Sequence, residues 1–333
     1  MQASWISADQ LASLSTSVQG AFISPLPGFE SLIIAGPDNR KYLQGQVTAD
    51  LNTLTSDNFL RGAHCDAKGK MWAQFHLCAD GESLWYIGFR DELQASATQL
   101  KKFGVFSKVS FEAGHDTLAI LGISGTGTAA LLEQLGYTQP AAVGQLSSVA
   151  GGKLLRLADE HYLLILDFAH ARQLLAEQSA YLAAPTLWLA QHIQQGFSYL
   201  EQAVIGEYVP QMLNLQSIDA ISFTKGCYIG QETVARMKYL GKNKRAAYIL
   251  SSQTEETPAS GTDIEVQWSE NWRRVGQVIN AVNIQGQLWV LAVLPNDINP
   301  ADPLRLATPD ASVLAISPLP YSLAVSYTHL TLP

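Results

Sequence analysis

The chain is poor in cysteine, with three residues in 333, at positions 65, 78 and 227. They are too few and too scattered for a disulfide framework, and none forms a Cys-x-x-Cys metal pair. No apolar run approaches the ~20 residues of a membrane span. The N-terminus has no basic segment followed by an apolar core, so no secretory signal is expected. These absences predict a protein of the reducing cytoplasm that does not enter a membrane.

Charge is also limited. Charged residues make up 15% of the chain and hydrophobic residues 47%, which argues against disorder, and the length suits two or three domains. The net charge of -8 disfavours tight nucleic-acid binding. One window differs, because residues 225–245 hold six cations against the single anion Glu232. This window is either a solvated basic face or an anion site for a polyglutamate tail, a phosphate or RNA.

Hydrophobic periodicity predicts an α+β fold. Strand patterns alternate with helix patterns up to about residue 182, which is typical of ferredoxin-like units. Beyond residue 246 only short strand patterns follow, divided by Gly, Asn and Pro; they cover residues 246–251, 263–268, 272–279, 287–294 and 312–316. This change of pattern predicts a separate, small C-terminal β-barrel.

A cysteine between two glycines is the clearest chemical feature. Cys227 follows Lys225 by two residues and precedes an apparent helix that begins with Gln231 and Glu232. A nearby cation and a helix N-terminus both favour the reactive thiolate. The other interpretation is a tight turn in which Cys227 is a small buried hydrophobe.

The same residues carry a family resemblance. The run Lys-Gly-Cys-Tyr-Ile-Gly-Gln-Glu at 225–232 resembles the signature of the YgfZ family, folate-binding, tRNA-modification-related relatives of the glycine-cleavage T-protein. Further similar segments occur in the expected order at 42–50, 63–72, 106–109, 270–274 and 318–323. The resemblance spans roughly residues 20 to 323.

The resemblance implies a T-protein-like arrangement of three domains around a central opening. The expected domains are residues 1–53 with 113–193, residues 54–112 with 194–243, and the barrel at 244–325. Residues 326–333 have no recognisable counterpart, and we interpret them as a non-native tail.

Trp188 is the second candidate residue. In the apparent helix 187–195 it shares a face with Gln191, His192 and Gln195, a setting suited to stacking on a heteroaromatic ligand. A Trp that fills a domain interface is the alternative. The resemblance implies that this Trp binds a folate such as tetrahydrofolate. It implies a second folate contact at Phe29, where the family usually has Trp.

One departure from the T-protein concerns its acidic pair. When the sequences are aligned on Gly69, the positions of that pair hold Ala73 and Gln74. Aminomethyl transfer would lack its acid/base group, so we expect no glycine-cleavage activity, and whether the chain is an enzyme stays open. A metal site formed by His64, Cys65, His76 and Cys78 is disfavoured, because nothing supplies a closed set of four ligands.

Three functions remain as hypotheses. The first is a tetrahydrofolate-binding accessory protein that supports tRNA modification and the assembly or repair of iron-sulfur enzymes. In it Cys227 is the reactive thiol, supported by Lys225, Gln231 and Glu232, and tRNA is affected indirectly. The second is a folate-dependent one-carbon transferase or demethylase. The third is a scaffold that docks tRNA-modifying enzymes.

Overall fold

The computed structural model describes residues 5–241 and 243–323, without the side chain of residue 115. The helices in this part of the chain are α1 (Ala8–Ala12), α2 (Asn39–Gln44), α3 (Arg90–Phe103), α4 (Thr128–Gln134), α5 (Phe168–Glu177), α6 (Pro185–Gln194) and α7 (Gln231–Tyr239). The first ten strands are β1 (Phe22–Pro25), β2 (Phe29–Ala35), β3 (Leu60–Cys65), β4 (Met71–Asp80), β5 (Ser83–Phe89), β6 (Ser110–Ala113), β7 (Leu118–Ser124), β8 (Leu146–Val149), β9 (Gly152–Ala158) and β10 (His161–Asp167). The remaining strands are β11 (Arg245–Gln253), β12 (Asp263–Trp268), β13 (Asn271–Ile284), β14 (Gln287–Pro295), β15 (Leu304–Leu306) and β16 (Val313–Ser317). The predicted tail at 326–333 lies outside the described residues.

Two antiparallel five-stranded sheets form the first part of the molecule. Their strand orders are β1-β7-β10-β9-β8 and β3-β4-β5-β2-β6. In the second sheet β2-α2-β4-β5-α3-β6 follows the β-α-β-β-α-β order of a ferredoxin-like unit, and β3 is added at one edge. The predicted α+β class is confirmed.

Strands β1 and β2 lie in different sheets. β2 pairs with β5 and β6, so it belongs to the same sheet as most of residues 54–112. Of the strands within residues 1–53, only β1 pairs with the other sheet, through β7. Residues 29–35 therefore lie in the second sheet, and the predicted domain bounds stay a prediction. The sequence contains no break there, because only three residues, 26–28, separate the end of β1 from the start of β2.

A closed β-barrel forms the C-terminal unit, as predicted. Its strand order is β11-β14-β13-β12-β15-β16. Alternate residues of the long strands, including Leu250, Val278 and Val290, meet in its core. β15 was missed by the sequence pattern, but it joins β12 to β16 and closes the sheet.

Helix α6 lies where the three units meet. It packs against β13 and β14 of the barrel and against β1 and β7 of the first sheet. On one side, Trp188 joins a buried cluster with Phe22, Phe29 and Trp85, which come from both sheets. Within the described residues, no helix is long and apolar enough to cross a membrane.

Candidate functional site: a central cavity and a separate thiol loop

A small cavity lies between the second sheet and the segment after α6. Its volume is about 30 Å³, enough for one or two water molecules. Its wall consists of Phe29, Arg61, Gly62, Gln74, Phe75, His76, Gly88, Glu92, His192, Phe197, Ser198, Leu215, Ile218 and Ala220. Aromatic rings and polar groups therefore surround one enclosed space, which is the usual composition of a small-molecule site.

Arg61 gives the cavity wall a donor that is not satisfied by the protein. Its Nη2 donates to the carbonyl of Leu157, and its Nη1 donates to the carbonyl of Ile218 at 3.4 Å. The Nε atom is buried and has no hydrogen-bond partner in the part of the chain that the structure describes. Burial lowers the pKa of Arg61 to about 10, partly opposed by the charge of Asp219, so the side chain stays cationic at neutral pH. A buried unpaired N–H is costly, which favours a ligand or a water as its acceptor.

Glu92 is the carboxyl group at this cavity. It lies in the first turn of α3 and accepts backbone N–H groups from Phe89 at 2.9 Å, Gln74 at 3.2 Å and Leu200 at 3.2 Å. Burial raises its pKa to about 8, although these three donors favour the charged form. The side chain thus connects α3, β4 and the segment after α6.

A chain of neutral polar groups lies behind the wall. Ser124 Oγ is 2.5 Å from His161 Nδ1, and His161 Nε2 is 3.0 Å from His192 Nδ1. The backbone of Ser198 raises the pKa of His192 through a hydrogen bond, which requires an accepting carbonyl. His161 thus links Ser124 to His192 through its two ring nitrogens. Burial lowers the pKa of both imidazoles, which keeps them neutral.

Trp188 lies one layer behind the cavity, with no exposed surface. Its indole stacks on the rings of His161 and His192, at centroid distances of 4.5 and 4.6 Å. Its Nε1 donates to the carbonyl of Tyr162 at 3.1 Å. The close approach to β7 requires Gly122, because a Cβ there would lie 2.1 Å from the indole Cδ1. Trp188 therefore orients the wall, and its direct contact with folate stays a prediction.

Of the other residues named from the sequence, Phe29 and Gln74 line the cavity and Ala73 does not. Phe29 lines the cavity and makes an edge contact with Trp188 at 5.7 Å. Gln74 also lines it and exchanges hydrogen bonds with Ser198 Oγ at 2.8 and 3.1 Å, whereas Ala73 is buried in the sheet. Arg61 and Glu92 were not predicted from the sequence. The position of Glu92 in the first turn of an amphipathic helix is a signal that could have identified it.

Lys225 ties the predicted thiol loop to another segment. Its ammonium donates to the carbonyls of Gln44, Val47 and Ala49, at 2.7, 2.8 and 2.6 Å. Burial lowers the pKa of Lys225 to about 8, partly opposed by Asp50. Three acceptors match the three N–H bonds of an ammonium group, so this side chain holds the loop in place. Its predicted support of the Cys227 thiolate stays a prediction.

Cys227 is exposed on this loop. The loop packs on the turn at residues 66–69, because a Cβ at Gly230 would lie 2.6 Å from the carbonyl oxygen of Asp66. Gly230 has a φ of 83° and precedes α7, whose first residues are Gln231 and Glu232. Glu232 is exposed and pairs with Arg236 at 2.6 Å. Cys227 does not line the central cavity, so the structure separates the two predicted sites.

The sequence comparisons identify the family. A family model described as "YgfZ, beta-barrel domain" matches residues 243–310. The tRNA-modifying protein YgfZ of Yersinia pestis (strain Pestoides F) is 42% identical over 296 residues, which cover 87% of this chain and 89% of that protein. Its counterpart in Yersinia enterocolitica (serotype O:8) is 43% identical over the same shares. This chain belongs to the YgfZ family.

The fold likeness extends further than the sequence likeness. The glycine cleavage system aminomethyltransferase T of Bartonella henselae superimposes with a TM-score of 0.69 at 12% identity, covering 92% of this chain and 87% of that one. The T-protein-like fold predicted for this YgfZ-family chain is confirmed.

In this YgfZ-family chain, three of the residues considered for a metal site are hydrogen-bonded or buried, namely His64, Cys65 and Cys78. His64 Nδ1 is 2.9 Å from Ser96 Oγ. Cys65 and Cys78 are buried, and burial raises the pKa of both thiols, that of Cys78 to about 12. Among the described residues, no group of three or more His, Cys, Asp or Glu side chains could hold a metal ion.

Replacing Lys225 with Met should lower the free energy of unfolding by about 3 kcal/mol, since three buried carbonyls lose their donor. Denaturant unfolding followed by circular dichroism measures this. Lys68→Met, at an exposed position on the neighbouring turn, is the matched control and should change stability by less than about 0.5 kcal/mol. Equal stability of the two variants would show that the ammonium does not hold the loop.

Glu92→Gln should change how stability depends on pH. The folded pKa of Glu92, about 8, lies above its ordinary value of 4.5, so the folded protein binds the extra proton between these pH values. The wild type therefore loses stability as pH rises from 5 to 8, and the Gln variant lacks this loss. Thermal unfolding of both proteins at pH 5 and pH 8 tests the difference. If the wild type instead becomes more stable relative to the Gln variant as pH rises, the three N–H donors affect the pKa of Glu92 more than burial does.

Proposed function

We propose that this protein binds a reduced folate such as tetrahydrofolate in the central cavity and supports tRNA modification in the cytoplasm. The observation that carries the proposal is that Arg61, whose Nε has no partner among the described residues, lines together with Phe29 a cavity close to the junction of the three units. A pterin offers a flat ring for Phe29 and ring acceptors for Arg61. Gln74 supplies amide groups to the same wall.

The chemistry of the wall fits a pterin, but the present volume of the cavity is too small for one. About 30 Å³ holds water only, so the wall must move when the ligand enters. The turn at Leu215–Ile218 is the candidate for this movement. It lies between Asn214 and Asp219, which both have left-handed backbone conformations, with φ of 59° and 57°. Such residues carry roughly 1 kcal/mol of strain each, which movement of the turn can release.

The same wall argues against glycine-cleavage chemistry. Ala73 and Gln74 provide no carboxylate, and both oxygens of Glu92 accept backbone N–H groups. An accessory role therefore fits better than one-carbon transfer. In this role the exposed Cys227 reacts with, or delivers a group to, an iron-sulfur enzyme that modifies tRNA. The similarity to proteins named tRNA-modifying supports this, and the net charge of -8 favours an indirect effect on tRNA.

Phe29→Ala should weaken tetrahydrofolate binding about tenfold, because the ring that faces the ligand is lost. Calorimetric titration under anaerobic conditions measures the affinity. Phe103→Ala is the control, since this side chain is half exposed and does not line the cavity. An unchanged affinity in Phe29→Ala, or no binding by the wild type, would refute the proposed folate site.

Cys227 should be the one thiol of the native protein that iodoacetamide alkylates, because Cys65 and Cys78 are buried and their thiols stay protonated. Peptide mass spectrometry locates the adduct. Cys227→Ser should keep the wild-type melting temperature and fail to complement a strain that lacks its own YgfZ protein. Cys78→Ser is the control and should complement, provided that it folds. Full complementation by Cys227→Ser would remove the thiol from the function.

A further inference from the structure

A second cavity lies on the other side of the turn at Leu215–Ile218. Its volume is about 320 Å³, within the range of small-molecule sites. Leu215 and Ile218 face the central cavity, whereas Gln216 and Ser217 line this one. The two cavities therefore share one thin wall. Neither the T-protein-like fold nor the proposed folate site explains the second cavity.

Two buried amide oxygens at this cavity have no partner. Gln211 is 3% exposed, and its Nε2 donates to the carbonyl of Val234 at 2.6 Å. That bond fixes the orientation of the amide, because the opposite orientation would place two oxygens together. Its Oε1 has no donor, and the same holds for Oε1 of Gln216. Two unsatisfied acceptors in one cavity favour a ligand with N–H or O–H donors.

The remaining wall offers a flat apolar surface and one cation. Phe223 and Met237 line the cavity, and the Lys238 ammonium lies 3.8 Å from the centre of the Phe223 ring. Lys238 forms no ion pair with any residue that the structure describes, so its charge is free for an anionic group. Asp219, exposed at the same cavity, opposes a highly charged anion.

We propose that this second cavity binds a nucleotide whose base carries an amino group. The amino group of adenine, cytosine or guanine supplies donors to Gln211 and Gln216. The base packs against Phe223 and Met237, and a single phosphate contacts Lys238. Uracil has no exocyclic amino group and would leave an acceptor unpaired. The ligand is either a free mononucleotide or one unpaired residue of an RNA.

This site is distinct from the proposed folate site, because no side chain named for nucleotide binding lines the central cavity. Loss of folate binding and loss of nucleotide binding can therefore be measured separately.

Calorimetric titration of the full chain with CMP, AMP and UMP tests the proposal. CMP and AMP should bind at one site, about tenfold more tightly than UMP. Equal affinity for all three, or no saturable binding, would overturn it. In the second case the acceptors hold ordered water only.

Gln216→Leu is the discriminating variant, because no described residue hydrogen-bonds to its amide oxygen. It should weaken CMP binding about tenfold and should not lower the melting temperature. Gln46→Leu is the matched control, since Gln46 also has a buried unpartnered amide oxygen but does not line this cavity. It should bind CMP as the wild type does. Equal CMP affinity of both variants and the wild type would refute the role of Gln216.

Two further titrations identify the source of the nucleotide. Lys238→Met should weaken CMP binding severalfold and leave cytidine binding unchanged, and an unchanged CMP affinity would refute the phosphate contact. A single-stranded oligocytidylate that binds much more tightly than CMP indicates an RNA residue as the ligand. Equal affinity indicates the free nucleotide, and a failure of both to bind overturns the proposal.

Discussion

The molecule depends on the burial of Trp188 where α6 meets the two sheets and the barrel. A fully buried Trp removes about 200 Å² from water, which stabilises the assembly by roughly 5 kcal/mol. That gain requires polar neighbours without charge, and the chain from Ser124 through His161 to His192 meets this requirement with paired, neutral groups. The packing therefore fixes His192 in the wall of the central cavity. The stacking of Trp188 on His192, behind the cavity wall, therefore helps to set the shape of the cavity.

Buried ionisable side chains in this protein hold segments together as much as they prepare chemistry. Lys225 and Glu92 are both buried. Lys225 donates hydrogen bonds to three backbone carbonyls, and Glu92 accepts hydrogen bonds from three backbone N–H groups. Arg61 differs, because two of its nitrogens contact carbonyls and its Nε has no partner. An unsatisfied donor persists in a folded protein only where something else satisfies it or where function compensates for its cost. Because Arg61 also lines the central cavity, its unsatisfied Nε is the strongest indication of a ligand there.

Periodicity predicted the fold class and the barrel, but it could not predict which faces meet. β15 has three residues, too few to show alternation, and only barrel closure reveals it. The helical spacing of Trp188 and His192 indicated a polar face correctly, yet spacing alone cannot distinguish a face that contacts a ligand from one buried between sheets. Arg61 lies in a strand with no motif of its own, so its position at the cavity depends on pairing between β3 and β4. The family resemblance supplied the prediction for Phe29, whereas the glycines, Lys225 and the apparent helix that follows indicated Cys227 without it.

The turn at Leu215–Ile218 gives the two cavities a physical connection. Leu215 and Ile218 at its ends line the central cavity, Gln216 and Ser217 between them line the second one, and a left-handed residue flanks the turn on each side. A shift of this turn away from Arg61 widens the central cavity and narrows the second one. If each cavity binds a ligand that favours one position of the turn, occupancy of one changes affinity at the other by the same factor in both directions. The carbonyl of Ile218 accepts a hydrogen bond from Arg61 Nη1 at 3.4 Å. Movement of the turn therefore changes the contacts of the guanidinium.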